Sequence, residues 1–218
     1  SAVCNFAISE YALDLKNQFV GMYFDKSAGV SKRLPIPIDD IRKVQHQCRL
    51  IDDDLRWLVA LVSDTGMRLA EGAGLLKSDI VLDSDIPHIS LKPHQWRPLK
   101  TSGNQRDIPL VGASLWAAQR LSEAFPDSHY AFSRYNRRDT TNSNSASAAL
   151  NKWLHQYVPV GCTMHSFRHS IRDRLRAVEC PSDVIDQIGG WATEGVGQGY
   201  GKGHDLQVCD KWMNFISA

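Results

Sequence analysis

Two short motifs of the sequence place an arginine three residues from a second ionisable side chain. Arg68 follows a glycine turn and precedes Glu71 by three residues, and His165 precedes Arg168 by the same spacing. Residues three apart share one face of a helix, so each pair can act together. Arginine carries a planar, permanently charged fork of donors that fits phosphate oxygens. Each pair could bind a phosphate, although a helix-surface ion pair is the commoner role of the spacing between Arg68 and Glu71.

A single tyrosine, Tyr200, stands among four glycines in the stretch 197–203, nine residues after Trp191. Glycine is used where the backbone needs positive φ or wide conformational freedom. The ring could pack on the core, the loop could hold a phosphate through backbone N–H groups, or the phenol could be a nucleophile for a large substrate. A phosphate loop is disfavoured, because no apolar strand precedes the stretch and the lysine–Ser/Thr ending of such loops is missing.

A lysine and a pair of histidines could also take part in chemistry. Lys100 precedes a predicted hairpin turn at 101–105, where a lysine can donate a proton or simply be solvated. His165 and His169 have the i, i+4 spacing that can chelate zinc, but the glutamate of the usual metalloprotease motif and a nearby cysteine pair are both missing. We therefore predict no metal and no other cofactor.

The elements that must position these residues are mostly helices. Apolar periodicity and turn residues predict helices over about 8–25, from 38 onward, 52–66, 68–76, 112–124, 145–157, 164–178, 181–188 and 205–216. Asp39 or Asp40 is the predicted cap of the second helix, whose buried face would carry Ile41, Val44 and Cys48. Residues 79–111 read instead as two or three short antiparallel strands. The predicted fold class is α+β, mainly α-helical, with a small antiparallel sheet inserted in a helical bundle.

Charge and cysteine content narrow the possible partners. The net charge is +1, which does not indicate a generic polyanion binder, yet residues 165–176 hold four arginines and two histidines against one aspartate. One basic face is therefore expected. The five cysteines form no CxxC pair, which favours reduced thiols in a cytoplasmic protein. No apolar run is long enough to predict a membrane-spanning helix.

The order and spacing of the motifs resemble the catalytic domain of the tyrosine recombinases, the phage-integrase family. The resemblance covers about residues 33–218 and rests on TGMRLAEGAGLLKSDI, LKTSGNQRDIPLV, MHSFRHS and IGGW…GYG. It implies that a set of five side chains activates a DNA phosphodiester: Arg68, Lys100, His165, Arg168 and Trp191. It also implies Tyr200 as the nucleophile and Glu71 as a supporting acid. The family more often has histidine where this chain has Trp191.

The resemblance implies a site-specific recombinase that integrates or excises a mobile element through a 3′-phosphotyrosine intermediate, without metal or ATP. The expected partners are double-stranded DNA attachment sites, three further copies of the chain in a homotetramer on DNA, and accessory DNA-bending or excision proteins, with no membrane. A bacterial or phage-encoded protein in the cytoplasm, associated with the nucleoid, is expected. Residues 1–32 are interpreted as the tail of a truncated N-terminal core-binding domain with its linker, and 33–218 as the catalytic domain. The alternatives are a type IB topoisomerase-like enzyme and a catalytically inactive DNA-binding regulator.

Other basic residues are candidates for contacts with DNA phosphates, which position a protein without reading sequence. We name Arg97, Arg137 and Arg172 for this role. The last predicted helix, 205–216, has two equally plausible interpretations. Its apolar face could pack on its own core, or, as the family implies, it could dock on a neighbouring subunit.

Overall fold

The computed structural model describes residues 2–22, 34–99, 104–124, 128–137, 140–191 and 203–217. The chain divides into two compact units, Ser1–Lys32 and Arg33–Ala218. In the first unit helix α1 spans Ala2–Glu10 and buries none of its residues. The predicted helix over 8–25 is therefore wrong, since the helix ends at Glu10 and Ala12 takes a left-handed φ of 47°. Without a buried face, nothing in the described residues stabilises a longer helix.

Three helices open the second unit: α2 (Ile38–Ile51), α3 (Asp54–Thr65) and α4 (Leu69–Ala73). The predicted face of α2 is confirmed, because Ile41, Val44 and Cys48 are buried. Its predicted aspartate cap is wrong: Pro37 precedes the helix, and the two aspartates lie in the first turn, where they favour the helix dipole. Asp53 does cap α3 by accepting the Arg56 backbone N–H at 2.9 Å.

A small antiparallel sheet follows α4, as predicted. Strands β1 (Ile80–Val81), β2 (His88–Leu91) and β3 (Arg106–Pro109) lie in that order and pair in sequence. Ile89 of β2 lies opposite Ile108 of β3, and both are fully buried. One face of the sheet therefore closes the helical core. Of the predicted turn at 101–105, residues 101–103 lie outside the described part of the chain.

The remaining elements are α5 (Gly112–Glu123), β4 (Asn136–Arg137), β5 (Thr140–Thr141), α6 (Ser143–Leu154), α7 (Ser166–Ala177), α8 (Ser182–Gly189) and α9 (Leu206–Phe215). The five helices of this set are confirmed to within three residues, and the predicted fold class is confirmed with them. The short antiparallel pair β4–β5 lies directly before α6. None of the described helices is long and apolar enough to span a membrane.

Two apolar clusters form the core of the second unit. The larger one surrounds α3, and the smaller one joins α7, α8 and α9 through side chains such as Leu175, Ile188 and Met213. Cys209 and Met213 on α9 are buried, and so is Ile216 directly after the helix. The helix therefore packs on the core of its own chain.

Candidate active site

A glycine turn brings Arg68 and Glu71 against α7. Gly66 ends α3 with φ 60°, and a Cβ atom there would lie 2.3 Å from the Ile171 side chain. Only glycine fits this close approach. Arg68 then precedes α4, where Glu71 accepts its backbone N–H at 2.9 Å through Oε2 and its Nη1–H at 2.6 Å through Oε1. The predicted pair is thus formed, with the carboxylate buried and the guanidinium partly exposed.

A second arginine, Arg106, completes the contacts of Glu71. Its Nη2 donates to Glu71 Oε2 at 3.1 Å, its Nη1 to the Asn104 carbonyl at 2.8 Å and its Nε to the Ile188 carbonyl at 2.9 Å. Arg106 is not among the site residues predicted from the sequence. A signal was present, since Arg106 and Ile108 are two apart in a strand and must share its inward face. Arg106 links α4, the hairpin between β2 and β3, and the end of α8.

Arg168 lies in the first turn of α7 and is only 4% exposed. Its Nη1 donates to the Gly66 carbonyl at 3.0 Å and its Nη2 to the Gly190 carbonyl at 3.4 Å. Its guanidinium carbon lies 4.3 Å from the centre of the Trp191 ring, within the range of a cation–π contact. These contacts fix the orientation of the guanidinium before any ligand arrives.

His165 immediately precedes α7, and its ring lies 5.4 Å from that of His169. His165 and Arg68 share an open cleft of about 330 Å³. The cleft is lined mainly by polar residues along α6 and in the loop before α7: Ser143, Asn144, Ser147, Asn151 and Thr163. The Arg68 side chain is 26% exposed beside this cleft, and it contacts Glu71 through Nη1.

We call Arg68, Glu71, Arg106 and Arg168 the arginine cluster, and its charge is unbalanced. Burial, followed by the charges of Arg68 and Arg106, lowers the pKa of Arg168 to about 9. Burial raises the pKa of Glu71, but the charge of Arg106 and the hydrogen bonds from both arginines outweigh burial, so the pKa is below its usual value. Three cations therefore share one carboxylate, so the cluster has an excess of positive charge.

The end of α8 is shaped around this cluster. Gly190 has φ 62°, and a Cβ atom there would lie 2.7 Å from Arg106 Nη1. Trp191 follows directly and also lies 5.0 Å from the guanidinium of Arg172, which pairs with Asp186 at 3.3 Å. The structure thus gathers Arg68, Glu71, His165, Arg168 and Trp191 at neighbouring elements, whereas Lys100 and Tyr200 lie outside the described residues.

The three candidate DNA contacts have different surroundings. Arg97 is 2% exposed and pairs with Asp79, so the prediction that it contacts DNA phosphates is wrong: burial keeps its guanidinium from a surface ligand. Arg137 is exposed on β4, and Arg172 is partly exposed beside Trp191. These two remain accessible to a polyanion.

The sequence profile of the phage integrase family matches residues 38–203. No curated protein matches the chain. Among solved structures, the Tn1549 transposon integrase in complex with circular intermediate DNA has a TM-score of 0.55 at 15% identity over 78% of this chain. The XerH site-specific recombinase bound to difH substrate has a TM-score of 0.56 at 17% identity over 74% of this chain. The XerA recombinase also has a TM-score of 0.56 at 17% identity, over 88% of this chain.

The chain spans only 66%, 48% and 66% of these three structures respectively. At such identities the likeness establishes a common fold. The profile match covers more than half of the chain and contains every residue of the arginine cluster.

Proposed function

The chain belongs to the phage integrase family, and from this premise we propose that it is a site-specific recombinase that cleaves and rejoins double-stranded DNA. The observation that carries the proposal is the arginine cluster, in which three guanidinium groups face one carboxylate beside an open polar cleft. A DNA phosphodiester is an anion, and attack on its phosphorus increases the negative charge on the non-bridging oxygens. Donors already fixed around that charge lower the barrier without reorganising during the reaction.

Arg68 and Arg168 are the proposed ligands of the non-bridging oxygens. Arg168 is held by two backbone carbonyls and by Trp191, and Arg68 is held by Glu71. An arginine that stabilises a phosphoryl-transfer transition state contributes about 10³–10⁵ in rate, or roughly 4–7 kcal/mol. Trp191 adds an indole N–H donor but, unlike histidine, cannot exchange a proton at this position.

In the proposed reaction the Tyr200 oxygen forms a bond to phosphorus and the bond from phosphorus to the 5′-oxygen breaks. His165 takes the phenol proton or helps to position the phosphate, and Lys100 gives a proton to the leaving 5′-oxygen. The products are a 3′-phosphotyrosine and a free 5′-hydroxyl. The new ester keeps the energy of the original one, so attack by a second 5′-hydroxyl rejoins DNA without ATP.

Recombination also requires partners. The Tn1549 integrase and XerH structures contain DNA, which supports double-stranded DNA as the partner of this chain. We propose a homotetramer on DNA, accessory DNA-bending or excision proteins, Arg137 and Arg172 as phosphate contacts, and a cytoplasmic, nucleoid-associated location. Residues 1–32 are proposed to belong to a core-binding domain, because α1 exposes apolar side chains such as Val3 and Phe6.

The first experiment searches for the covalent intermediate. The protein is incubated with a pool of nicked duplexes of random sequence, in which a cleaved strand loses its short 5′-hydroxyl fragment and cannot be rejoined. Adducts that survive denaturation are recovered and sequenced, with Tyr200→Phe as the matched control. We expect an enriched DNA site with the natural chain and no adduct with the variant.

The outcomes separate the candidate functions. An adduct that survives in Tyr200→Phe assigns the nucleophile to another residue, and no adduct despite DNA binding indicates a catalytically inactive regulator. Adducts without sequence enrichment, together with relaxation of supercoiled plasmid by a monomer, indicate a type IB topoisomerase-like enzyme. Strand exchange between two enriched sites is the result that the recombinase requires.

A further inference from the structure

A buried ion pair holds the chain segment that leads from β2 to Lys100. Arg97 Nη2 lies 3.3 Å from Asp79 Oδ2 and donates to the Lys92 carbonyl at 2.9 Å. Its Nε donates to the Gly74 carbonyl at 3.1 Å. Both charged side chains are almost fully buried. Arg97 thus satisfies one carboxylate and two carbonyls that no shorter side chain could reach together.

Neighbouring aromatic residues strengthen this anchor. His94 Nε2 lies 2.9 Å from Asp79 Oδ2, and its ring stacks on Trp96 with centroids 4.7 Å apart. Trp96 Nε1 donates to the same Gly74 carbonyl at 3.3 Å. Backbone hydrogen bonds join His94 and Arg97 in both directions, at 3.1 and 3.0 Å. We call Asp79, His94, Trp96 and Arg97 the Asp79 anchor.

The anchor is tied to the helix that positions Arg68. Asp79 Oδ2 also accepts the Leu76 backbone N–H at 3.1 Å, three residues after the end of α4. A Cβ atom at Gly74 would lie 2.6 Å from Arg97 Cδ, so the Arg97 side chain packs directly on this backbone. The segment before Lys100 is therefore fixed relative to α4, which begins directly after Arg68 and contains Glu71.

The far side of the hairpin has a similar attachment. Arg106 Nη1 donates to the Asn104 carbonyl, and Arg106 Nη2 donates to Glu71 on α4. On the near side Leu99, the residue before Lys100, packs against the main core. Buried arginines thus attach both described sides of the hairpin to α4 or to the residues that directly follow it.

We propose that Arg97 and Asp79 are positioning residues for proton transfer to the leaving 5′-oxygen. By fixing the described residues on the β2 side of the hairpin, up to Leu99, to the end of α4, they hold the segment that leads to Lys100 relative to Arg68. The inference rests on the proposed function, because it assigns a task to residues that support the proposed general acid. Neither Arg97 nor Asp79 touches the DNA in this account.

A sulfur substitution in the DNA tests the proposal directly. In a duplex whose scissile 5′-bridging oxygen is replaced by sulfur, the leaving group is a thiolate. Because a thiol has a pKa of about 8.5, it leaves without receiving a proton. The enriched site found with the random pool is prepared in the oxygen and the sulfur form, and the rate of adduct formation is measured on both in a single turnover with the full chain.

We expect Lys100→Ala to slow cleavage of the oxygen substrate about 10²–10⁴-fold, the usual contribution of a general acid. The same variant should cleave the sulfur substrate at close to the rate of the natural chain. Arg97→Leu and Asp79→Asn should show the same pattern with a smaller loss, on the order of 10–100-fold. Arg97→Lys, which keeps the charge but not the fork of donors, should fall between Arg97→Leu and the natural chain.

The ratio of the rates on the two substrates does not depend on how much of a variant is folded, so it separates positioning from instability. Arg120→Leu is the matched control, since Arg120 forms a forked pair with Asp52 away from the hairpin. It should leave the ratio unchanged. If Arg97→Leu and Asp79→Asn show the same ratio of rates as the natural chain, the inference is overturned. Failure of sulfur to restore Lys100→Ala overturns the general-acid assignment of the proposed function, and the inference with it.

Discussion

Two arginines on α7, six residues apart, are used in opposite ways. Arg174 donates to Asp64 Oδ1 at 2.9 Å and to the Ser63 carbonyl at 3.1 Å. Asp64, fully buried, also accepts Gln45 Nε2 at 2.9 Å and the Ala113 backbone N–H at 2.8 Å. In this Asp64 network one cation meets one anion, and neutral donors satisfy the remaining oxygen lone pairs. Such a charge-balanced network holds α2, α3, α5 and α7 together.

Arg168 belongs to the arginine cluster, where the charges do not balance. Glu71 is shared by Arg68 and Arg106. Among the described residues, the direct partners of Arg168 are carbonyl oxygens and an aromatic ring. Burying cations without counter-ions costs stability, and the lowered pKa of Arg168 expresses that cost. Charge balance, rather than burial or residue type, thus distinguishes the structural Arg174 from Arg168, the proposed phosphate ligand.

The largest expected effect comes from Arg168→Met. Removal of this donor should slow adduct formation by about 10³-fold or more, equivalent to roughly 4 kcal/mol or more of transition-state stabilisation. The free energy of unfolding should change little, because the lost cation was repelled by its neighbours. Single-turnover cleavage and urea unfolding measure the two quantities. A variant that unfolds readily but cleaves normally per folded molecule would make Arg168 structural.

Arg174→Met should show the reverse pattern. Asp64 would keep its buried charge without a cation, which costs about 3–5 kcal/mol in the free energy of unfolding. Cleavage per folded molecule should stay within about threefold of the natural rate, because Arg174 does not belong to the arginine cluster. Urea unfolding and cleavage at low temperature provide the comparison. A stable Arg174→Met protein would show that charge balance is not what stabilises the Asp64 network.

Sulfate, used as a simple mimic of a phosphodiester, should stabilise the protein through the arginine cluster. At ten times its dissociation constant the expected gain is about 1.4 kcal/mol in the free energy of unfolding. Arg174→Met should keep this gain and Arg168→Met should lose most of it, with chloride at equal ionic strength as the control. An equal gain in both variants would place the anion elsewhere.

The smallest effect concerns pH. The pKa of Arg168 is about 9 in the free protein, so its charge is complete at pH 7 and decreases as pH rises through that value. Sulfate favours the charged form, hence its stabilising effect should weaken above about pH 9. Melting temperatures with and without sulfate at pH 7.5 and 10 measure the change. A sulfate effect that stays constant to pH 10 would contradict a depressed pKa in Arg168.

Much of the helical fold could be predicted because its apolar periodicity is local. Helices α5 to α9 each carry such a pattern between clear breakers, whereas α1 buries no residue and its extent could not be read from periodicity. The strands β4 and β5 have two residues each, too few for an alternating pattern to be recognised.

Whether a residue of the candidate site could be predicted also depends on how close its partners are in the sequence. Arg68 with Glu71, and His165 with Arg168, are recognisable because both partners lie within one helical turn. Arg97 was assigned to the surface and Arg106 was missed because their partners are distant in sequence: Asp79 is 18 residues from Arg97, and Glu71 is 35 from Arg106. Whether a lone arginine is buried depends on a carboxylate that only the folded chain supplies.

The packing of α9 on its own chain determines the fraction of molecules in which this helix is undocked, as well as its position. Undocking this helix would expose Cys209, Met213 and Ile216 and break the contact between Arg174 and the Ile216 carbonyl. At about 1.5–3 kcal/mol for each apolar side chain, release costs roughly 4.5–9 kcal/mol. Only about one molecule in 10³ to 10⁷ would then hold α9 free at any moment. A neighbouring subunit that binds this helix must bury as much apolar surface as the helix's own chain does. An exchange of α9 between copies would therefore replace one docking surface by an equivalent one, without a populated undocked helix.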